Sequence, residues 1–149
     1  MPRQKNDTSQ QTFKLEIDAD KNNLPKVLAF FEEAMANTSC PLKTQTQINL
    51  ISEEIFINIA QYAYAPDKMG KVKISLLASK KNPQVIKITF KDKGIPYNPL
   101  KKIDPDITLS AEERQIGGLG IFMTKKMVDD IEYEYRDGCN ILCLKKIIR

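Results

Sequence analysis

The stretch Ser52–Ala60 reads Ser-Glu-Glu-Ile-Phe-Ile-Asn-Ile-Ala and sits within the pattern that decides the fold. Apolar side chains recur at spacings of three and four residues from Ile48 to Tyr62. This periodicity predicts a long helix from about Lys43 to Ala63 with one buried stripe. A 3.6-residue period of this length is typical of a helix packed against other elements, not of a strand.

Glu54 and Asn58 are four residues apart in this helix, so they stack one turn apart beside the buried stripe. Polar residues in such a position often form only the rim of a core. A carboxylate and an amide oxygen one turn apart also suit Mg²⁺, which takes a few hard oxygen ligands together with phosphates and water. A carboxylate there can alternatively act as a general base.

On the C-terminal side of the helix, Lys71–Leu77 and Gln84–Lys91 alternate in polarity and predict a β-hairpin. The second strand is followed by Asp92-Lys-Gly-Ile-Pro-Tyr-Asn-Pro99. An Asp followed two residues later by Gly is common turn chemistry. The functional interpretation is that Asp92 projects into a pocket as a fixed acceptor, and that Gly94 lets the backbone approach a ligand closely.

Three of the six glycines in the chain are Gly117, Gly118 and Gly120, at the start of a helix predicted to run to Val128. Exposed N–H groups at a helix start, with the helix dipole behind them, form an anion site. The structural alternative is a hinge followed by close helix packing. The preceding stretch, about residues 98–115, is broken by prolines and is a candidate lid over a bound ligand.

The remaining elements complete an α+β pattern. Thr12–Ile17 predicts a first strand, and Pro25 suits the first turn of a helix that lasts to about Ala36. Ile131–Arg136 and Asn140–Ile147 predict a last hairpin. We therefore expect a two-layer sandwich in which helices cover one face of a mixed, mostly antiparallel sheet. Residues 1–11 are expected to be a flexible tail, and residues 12–149 a single domain.

Composition excludes several classes of function. The 149 residues include no histidine, which rules out a Ser-His-Asp triad, a Cys-His pair and a phosphohistidine relay carried on this chain. The net charge of +4 is dispersed in short basic pairs, so no nucleic-acid surface is predicted. Three cysteines without CxxC spacing, a polar N-terminus and no long apolar run favour a cytoplasmic protein that does not enter membranes.

The order of the three motifs, Glu-x3-Asn, Asp-x-Gly-x-Pro and Gly-Gly-x-Gly, resembles the Bergerat ATP-binding fold of the GHKL superfamily, the histidine-kinase-like ATPase domain. Within it, the sequence is similar to the anti-sigma-factor serine/threonine protein kinases. Pro96, where the wider superfamily has a second glycine, is common in that branch; Tyr62 stands where some relatives carry His. The segments that carry the resemblance are Glu54–Asn58, Tyr62–Tyr64, Asp92–Pro99, Gly117–Met123 and Tyr133–Lys146.

The resemblance implies a role for each matching residue. Asn58 matches the Mg²⁺ ligand, and Glu54 the carboxylate thought to act as general base on the attacking hydroxyl. Asp92 matches the acceptor of the adenine amino group. The other implied cofactor-binding positions are Gly94 beside the base, Gly117, Gly118 and Gly120 at the phosphates, and Asn140 on the final strand near the adenine. No role is assigned to Tyr62 or Asn98.

The resemblance also implies an activity and partners. The expected cofactors are ATP or ADP with Mg²⁺, and the expected substrate is a STAS-type anti-sigma-factor antagonist, with regulation of transcription by partner switching. A sigma factor is a possible further partner, and a homodimer is expected. One alternative is an ATP-gated binding module that transfers no phosphate. Another is the ATPase domain of a sensor histidine kinase or of a DNA-handling ATPase, which is normally part of a longer chain.

Overall fold

The computed structural model describes residues 10–81, 83–101 and 119–148, which contain three α-helices, five strands and two short 3₁₀ turns. Helix α1 spans Leu24–Ala36, α2 spans Leu42–Tyr62 and α3 spans Leu119–Met127. The 3₁₀ turns are Lys21–Asn23 and Pro99–Lys101. The strands are β1 Gln10–Asp18, β2 Lys71–Ser79, β3 Gln84–Asp92, β4 Asp130–Arg136 and β5 Cys139–Ile148.

The helices and strands lie where hydrophobic periodicity predicts them, with small differences at their ends. Strand β1 begins at Gln10, two residues before the predicted start, because Gln10 and Gln11 pair with the far end of β2. The turn between β4 and β5 is formed by Asp137 and Gly138, with φ values of 55° and 75°. Two successive residues with positive φ suit a tight hairpin, as the Asp-Gly pair predicts.

The strands form one sheet in the order β1-β2-β3-β5-β4. All four pairings among the described residues are antiparallel, so this sheet is antiparallel throughout and contains no parallel pair. The pairs β2–β3 and β4–β5 are hairpins, β1 is followed by the helices α1 and α2 before its neighbour β2, and β5 lies between β3 and β4. The predicted α+β class is confirmed.

One face of the sheet is apolar and is covered by α1 and α2. Cross-strand partners Ile74, Phe90 and Leu142 form one row of this face and are all buried. The helices contribute the buried side chains that pack on this face: Val27, Phe31, Ile48, Ile51, Ile55 and Phe56. Burial of this apolar surface is the main force holding the layers together.

The same face ends in a polar pair. Side chains two residues apart on a strand point to the same side, so Asp92 follows Phe90 on the core face, and Asn140 precedes Leu142. Asp92 and Asn140 are themselves cross-strand partners. The antiparallel register therefore places two buried polar side chains next to each other at one end of an apolar sheet face.

Within the described residues, no helix is long and apolar enough to cross a membrane.

Candidate functional site

An open cleft lies between α2, the start of α3 and the end of the sheet where β3 and β5 meet. It contains about 510 Å³ of empty space, including space open to solvent. Asn58, Asp92 and Asn140 all line it. Three residues that lie far apart in the sequence, and that the motifs single out, are thus brought to one cavity.

Asp92 is the buried carboxylate of the cleft, with 6% of its surface exposed. Its Oδ1 accepts hydrogen bonds from Gly94 N at 2.9 Å and from Asn140 Nδ2 at 2.9 Å. Burial raises the pKa of Asp92, and these two donors oppose the rise. Among the described residues no hydrogen bond to Oδ2 is found, so the carboxylate has one oxygen held by the protein and one available to a ligand.

Asn140 holds the surroundings of Asp92 in place. Besides its bond to Asp92, Nδ2 donates to Ile95 O at 2.9 Å, and Oδ1 accepts from Tyr97 N at 3.1 Å and from the Tyr133 hydroxyl. An asparagine amide has two donors and two acceptor sites. These four hydrogen bonds occupy both donors and both acceptor sites of Asn140. The direct contact with a ligand that the resemblance implies would therefore replace one of these hydrogen bonds.

Gly94 is required by packing. A Cβ at this position would overlap Ala63 O, at the end of α2, and Ile95 N donates to that same carbonyl at 2.8 Å. The loop after β3 therefore lies directly on the C-terminus of α2. This gives Gly94 a structural reason that the sequence interpretation did not include; close approach to a ligand stays a prediction.

Tyr64 joins the start of β2 to the residue that follows β3. Its hydroxyl donates to Lys71 O at 2.6 Å and accepts from Lys93 N at 2.9 Å. Its ring packs on Gly70, where a Cβ would overlap the ring atoms. Burial raises the pKa of Tyr64. The sequence marks Tyr64 only as part of a motif. The two backbone groups that its hydroxyl joins become neighbours only in the folded sheet.

Asn58 lines the cleft from α2, and Glu54 lies beside it one turn earlier, as their helical spacing predicts; we call this pair the open end of the site. Asn58 Nδ2 donates to Glu54 Oε1 at 3.0 Å, and Asn58 Oδ1, on a cleft-lining residue, has no hydrogen-bond partner among the described residues. Both residues are half-buried. Gly120, in the first turn of α3, lies so close to Glu54 that a Cβ there would overlap the carboxylate. Glu54 therefore contacts both Asn58 and α3.

Asn58 suits a metal ion that binds together with a phosphate-containing ligand. Within the described ranges there is no group of three or more His, Cys, Asp or Glu side chains able to hold a metal ion. Mg²⁺ commonly binds through one or two protein oxygens, with phosphates and water completing its octahedron. Asn58 Oδ1 is an oxygen of this kind, so the donor set suits Mg²⁺ bound together with phosphates.

Other residues that the motifs singled out have these positions. Gly117, Gly118 and most of the candidate lid lie outside the described residues. Asn98 Oδ1 accepts from Leu100 N at 2.9 Å and so caps the short 3₁₀ turn that follows. Tyr62 lines the cleft and is 54% exposed. Tyr97 and Tyr133 were not predicted as site residues, since nothing in the sequence signals that their N–H and hydroxyl meet Asn140.

The sequence matches one family profile and is similar to two named protein kinases. The profile described as the histidine kinase-like ATPase domain matches residues 17–146. The serine/threonine-protein kinase BtrW of Bordetella bronchiseptica is 22% identical over 136 residues, covering 91% of this chain and 94% of that protein. The serine-protein kinase RsbW of Listeria monocytogenes is 23% identical over 104 residues, covering 67% of this chain and 64% of that protein.

Solved structures agree on the fold. The structure of the RsbU and RsbW domains of a Mycobacterium tuberculosis protein superposes with a TM-score of 0.59 at 18% identity, covering 91% of this chain and 33% of that chain. A blue-light-activated histidine kinase domain from Erythrobacter litoralis gives a TM-score of 0.52 at 14% identity, covering 86% of this chain and 60% of that chain. This chain thus spans only a third of the first of these structures.

Proposed function

The chain belongs to the histidine kinase-like ATPase domain family, and from that premise we propose that it is an ATP-dependent serine/threonine protein kinase of the anti-sigma-factor type. Membership of this family implies a site for ATP or ADP. Two relatives named as serine or serine/threonine kinases support a kinase activity. The proposal adds to this the class of acceptor and the residues that act.

The observation that carries the proposal is one cleft lined by both Asp92 and Asn58, with Glu54 bonded to Asn58. Oδ2 of Asp92 has no hydrogen-bond partner among the described residues and is suited to an adenine amino group, while Asn58 lines the same cleft with Glu54 beside it. Phosphoryl transfer depends on positioning and charge neutralisation more than on covalent chemistry. A cleft that binds the base at Asp92, with a carboxylate beside its lining residue Asn58, meets that requirement.

Each group then has a defined task. Asp92 binds and orients the base, and Glu54 orients or deprotonates a serine or threonine hydroxyl of the acceptor. Asn58 Oδ1 would hold Mg²⁺, which when bound with the nucleotide neutralises phosphate charge. Gly120, with Gly117 and Gly118, provides backbone N–H groups for the phosphates.

The proposed acceptor is a STAS-type anti-sigma-factor antagonist, and the proposed setting is a cytoplasmic partner switch that regulates transcription. A sigma factor is the proposed second partner, and the proposed assembly is a homodimer. Support for these partners comes from the sequence resemblance and from the kinase names of the relatives. The absence of histidine in the chain fits a hydroxyl acceptor on another protein.

Transfer of ³²P from γ-labelled ATP to a candidate STAS-domain protein, in the presence of Mg²⁺, tests the activity. Glu54→Gln keeps the size of the side chain and its bond from Asn58 but removes the base. We expect kcat to fall by about 100-fold or more while the Kd for ATP stays within about threefold. Wild-type protein that binds ATP tightly but transfers no phosphate to any such acceptor would refute the kinase proposal.

One contact favours a second candidate function, the ATP-gated binding module. Because Glu54 touches the first turn of α3, a nucleotide that binds at the glycines and moves α3 would also displace Glu54 on α2. A module of this kind would exchange protein partners between its ATP and ADP forms without any transfer. Its partner exchange, measured by pull-down in each nucleotide, would be the same for wild type and Glu54→Gln.

A further inference from the structure

Tyr133 is a cleft residue to which neither the sequence motifs nor the family match gives a role. It lies on the edge strand β4, directly opposite Leu142 of β5, so its ring points to the core face. Its hydroxyl donates to Asn140 Oδ1, and the same hydroxyl accepts from Tyr97 N at 3.3 Å. The tyrosine is half-buried and lines the cleft.

The Tyr133 hydroxyl is one of two groups that hold the Asn140 amide oxygen in place. The backbone N–H of Tyr97 can only donate, so the end of the amide that it meets is the oxygen, and the Tyr133 hydroxyl donates to that same oxygen. The NH₂ end then faces Asp92 and Ile95 O. Asp92 Oδ1 is then held by two donors, Asn140 Nδ2 and Gly94 N. A chain of contacts thus runs from the edge strand to the carboxylate that faces the ligand.

We propose that Tyr133 is a positioning residue for base recognition: through Asn140 it fixes the Asp92 carboxylate so that Oδ2 accepts a hydrogen bond from the exocyclic amino group of a purine. The inference rests on the proposed nucleotide site and adds to it the device that selects the base. The ligand class is a purine nucleotide with an amino group at the position that meets Asp92.

The physical reason is preorganisation. A buried carboxylate with one oxygen fixed presents the other as an acceptor in a defined direction, and a site built to pair with a ligand amino group discriminates against an analogue that lacks it. Without the Tyr133 hydroxyl, Asn140 Oδ1 keeps one of its two donors among the described residues, Tyr97 N. The amide, and the Asp92 carboxylate that it holds, are then less firmly oriented. The penalty falls on ligands that use the amino group and not on those that lack it.

The test compares two conservative variants on the same strand. Tyr133→Phe removes one hydroxyl and keeps the ring. Tyr135→Phe is the matched control: it lies two residues along β4, its side chain is 46% exposed, and no hydrogen bond from its hydroxyl is found in the described part of the chain. For each protein, calorimetry gives the Kd for ADP and for purine riboside diphosphate, which carries hydrogen in place of the amino group.

We expect Tyr133→Phe to weaken ADP binding by about three- to tenfold, the effect of one hydrogen bond, with purine riboside diphosphate binding unchanged. The preference for ADP then shrinks by the same factor, whereas Tyr135→Phe keeps it. Asn140→Leu, which removes the middle link, should lower the preference further, and its melting curve shows whether it is folded.

The outcomes separate this inference from the proposed function. A wild-type protein that binds no adenine nucleotide overturns both. If the wild type prefers ADP and Tyr133→Phe keeps that preference, the positioning role is wrong and the nucleotide site stands. Equal weakening of both nucleotides by Tyr133→Phe would show that the hydroxyl supports the cleft as a whole and not the contact with the amino group, and this too overturns the inference.

Discussion

The two ends of the cleft are built in different ways. At the buried end, Asp92 and Asn140 come from neighbouring strands and are held by hydrogen bonds to Gly94, Ile95 and other nearby groups. At the open end, Glu54 and Asn58 come from one helix, are half-buried and share one hydrogen bond. We infer that the first end is organised for recognition and the second for rearrangement.

Burial explains the difference. A polar group removed from water must find partners in the protein, so the buried end becomes a closed network with a single geometry. Half-exposed groups can be solvated, so Glu54 can change its partners at little cost. Reacting groups need that freedom, because they must meet a phosphate and an acceptor hydroxyl that arrive from outside.

Asp92→Asn gives the largest expected effect and tests the buried end alone. An amide oxygen can still accept from Gly94 N and Asn140 Nδ2, but an NH₂ group then faces the ligand amino group in place of Oδ2. We expect the Kd for ADP to rise by about 100-fold, close to 2.7 kcal/mol. Calorimetric titration measures this change.

The stability of Asp92→Asn is the control. Since burial raises the pKa of Asp92 above its unfolded value, the ionised side chain costs folded-state stability, and this cost develops as pH rises from the unfolded pKa through the folded one. The neutral amide removes this cost, so the variant should melt at or above the wild-type temperature at pH 7. A large loss of stability would contradict this account of the site.

Gly94→Ala should produce the next largest effect, and it measures the rigidity of the buried end. The added methyl would overlap the backbone carbonyl of Ala63, which cannot rotate away. We expect a loss of about 2–3 kcal/mol in the free energy of unfolding by urea titration. Gly138→Ala is the matched control: its φ is 75°, but a methyl there meets nothing within 4 Å, so it should lose only about 1 kcal/mol.

Gly120→Ala gives the smallest expected change in stability and sharpens the contrast. Its methyl would overlap the end of the flexible Glu54 side chain, not backbone, so the carboxylate can move aside. We expect a loss below about 1 kcal/mol together with a clear fall in phosphoryl transfer, because Glu54 is displaced. In a Glu54→Ala background the same glycine change should cost less stability, which a double-mutant cycle measures. Equal costs of Gly94→Ala and Gly120→Ala would remove the distinction between the two ends.

Several features could be predicted from local sequence alone. Helix α2 follows from its apolar stripe, and the pairing of Glu54 with Asn58 follows from the helical spacing, because both are set within one regular element. The turn at Asp137 and Gly138 follows from the backbone preferences of that dipeptide. The ordered motifs also indicated the family, which the profile match confirms.

Contacts between distant segments could not be predicted in this way. Asp92 and Asn140 are neighbours only because β3 and β5 pair in one particular antiparallel register, and a shift of one residue would turn one of them to the other face. Likewise Gly94 is needed where the loop meets Ala63, and Gly120 where α3 meets Glu54. The sequence thus determined the helices, the turns and the candidate residues by short-range periodicity, whereas tertiary packing alone decided which polar groups saturate one another, since each hydrogen bond at the buried end depends on the register of the whole sheet.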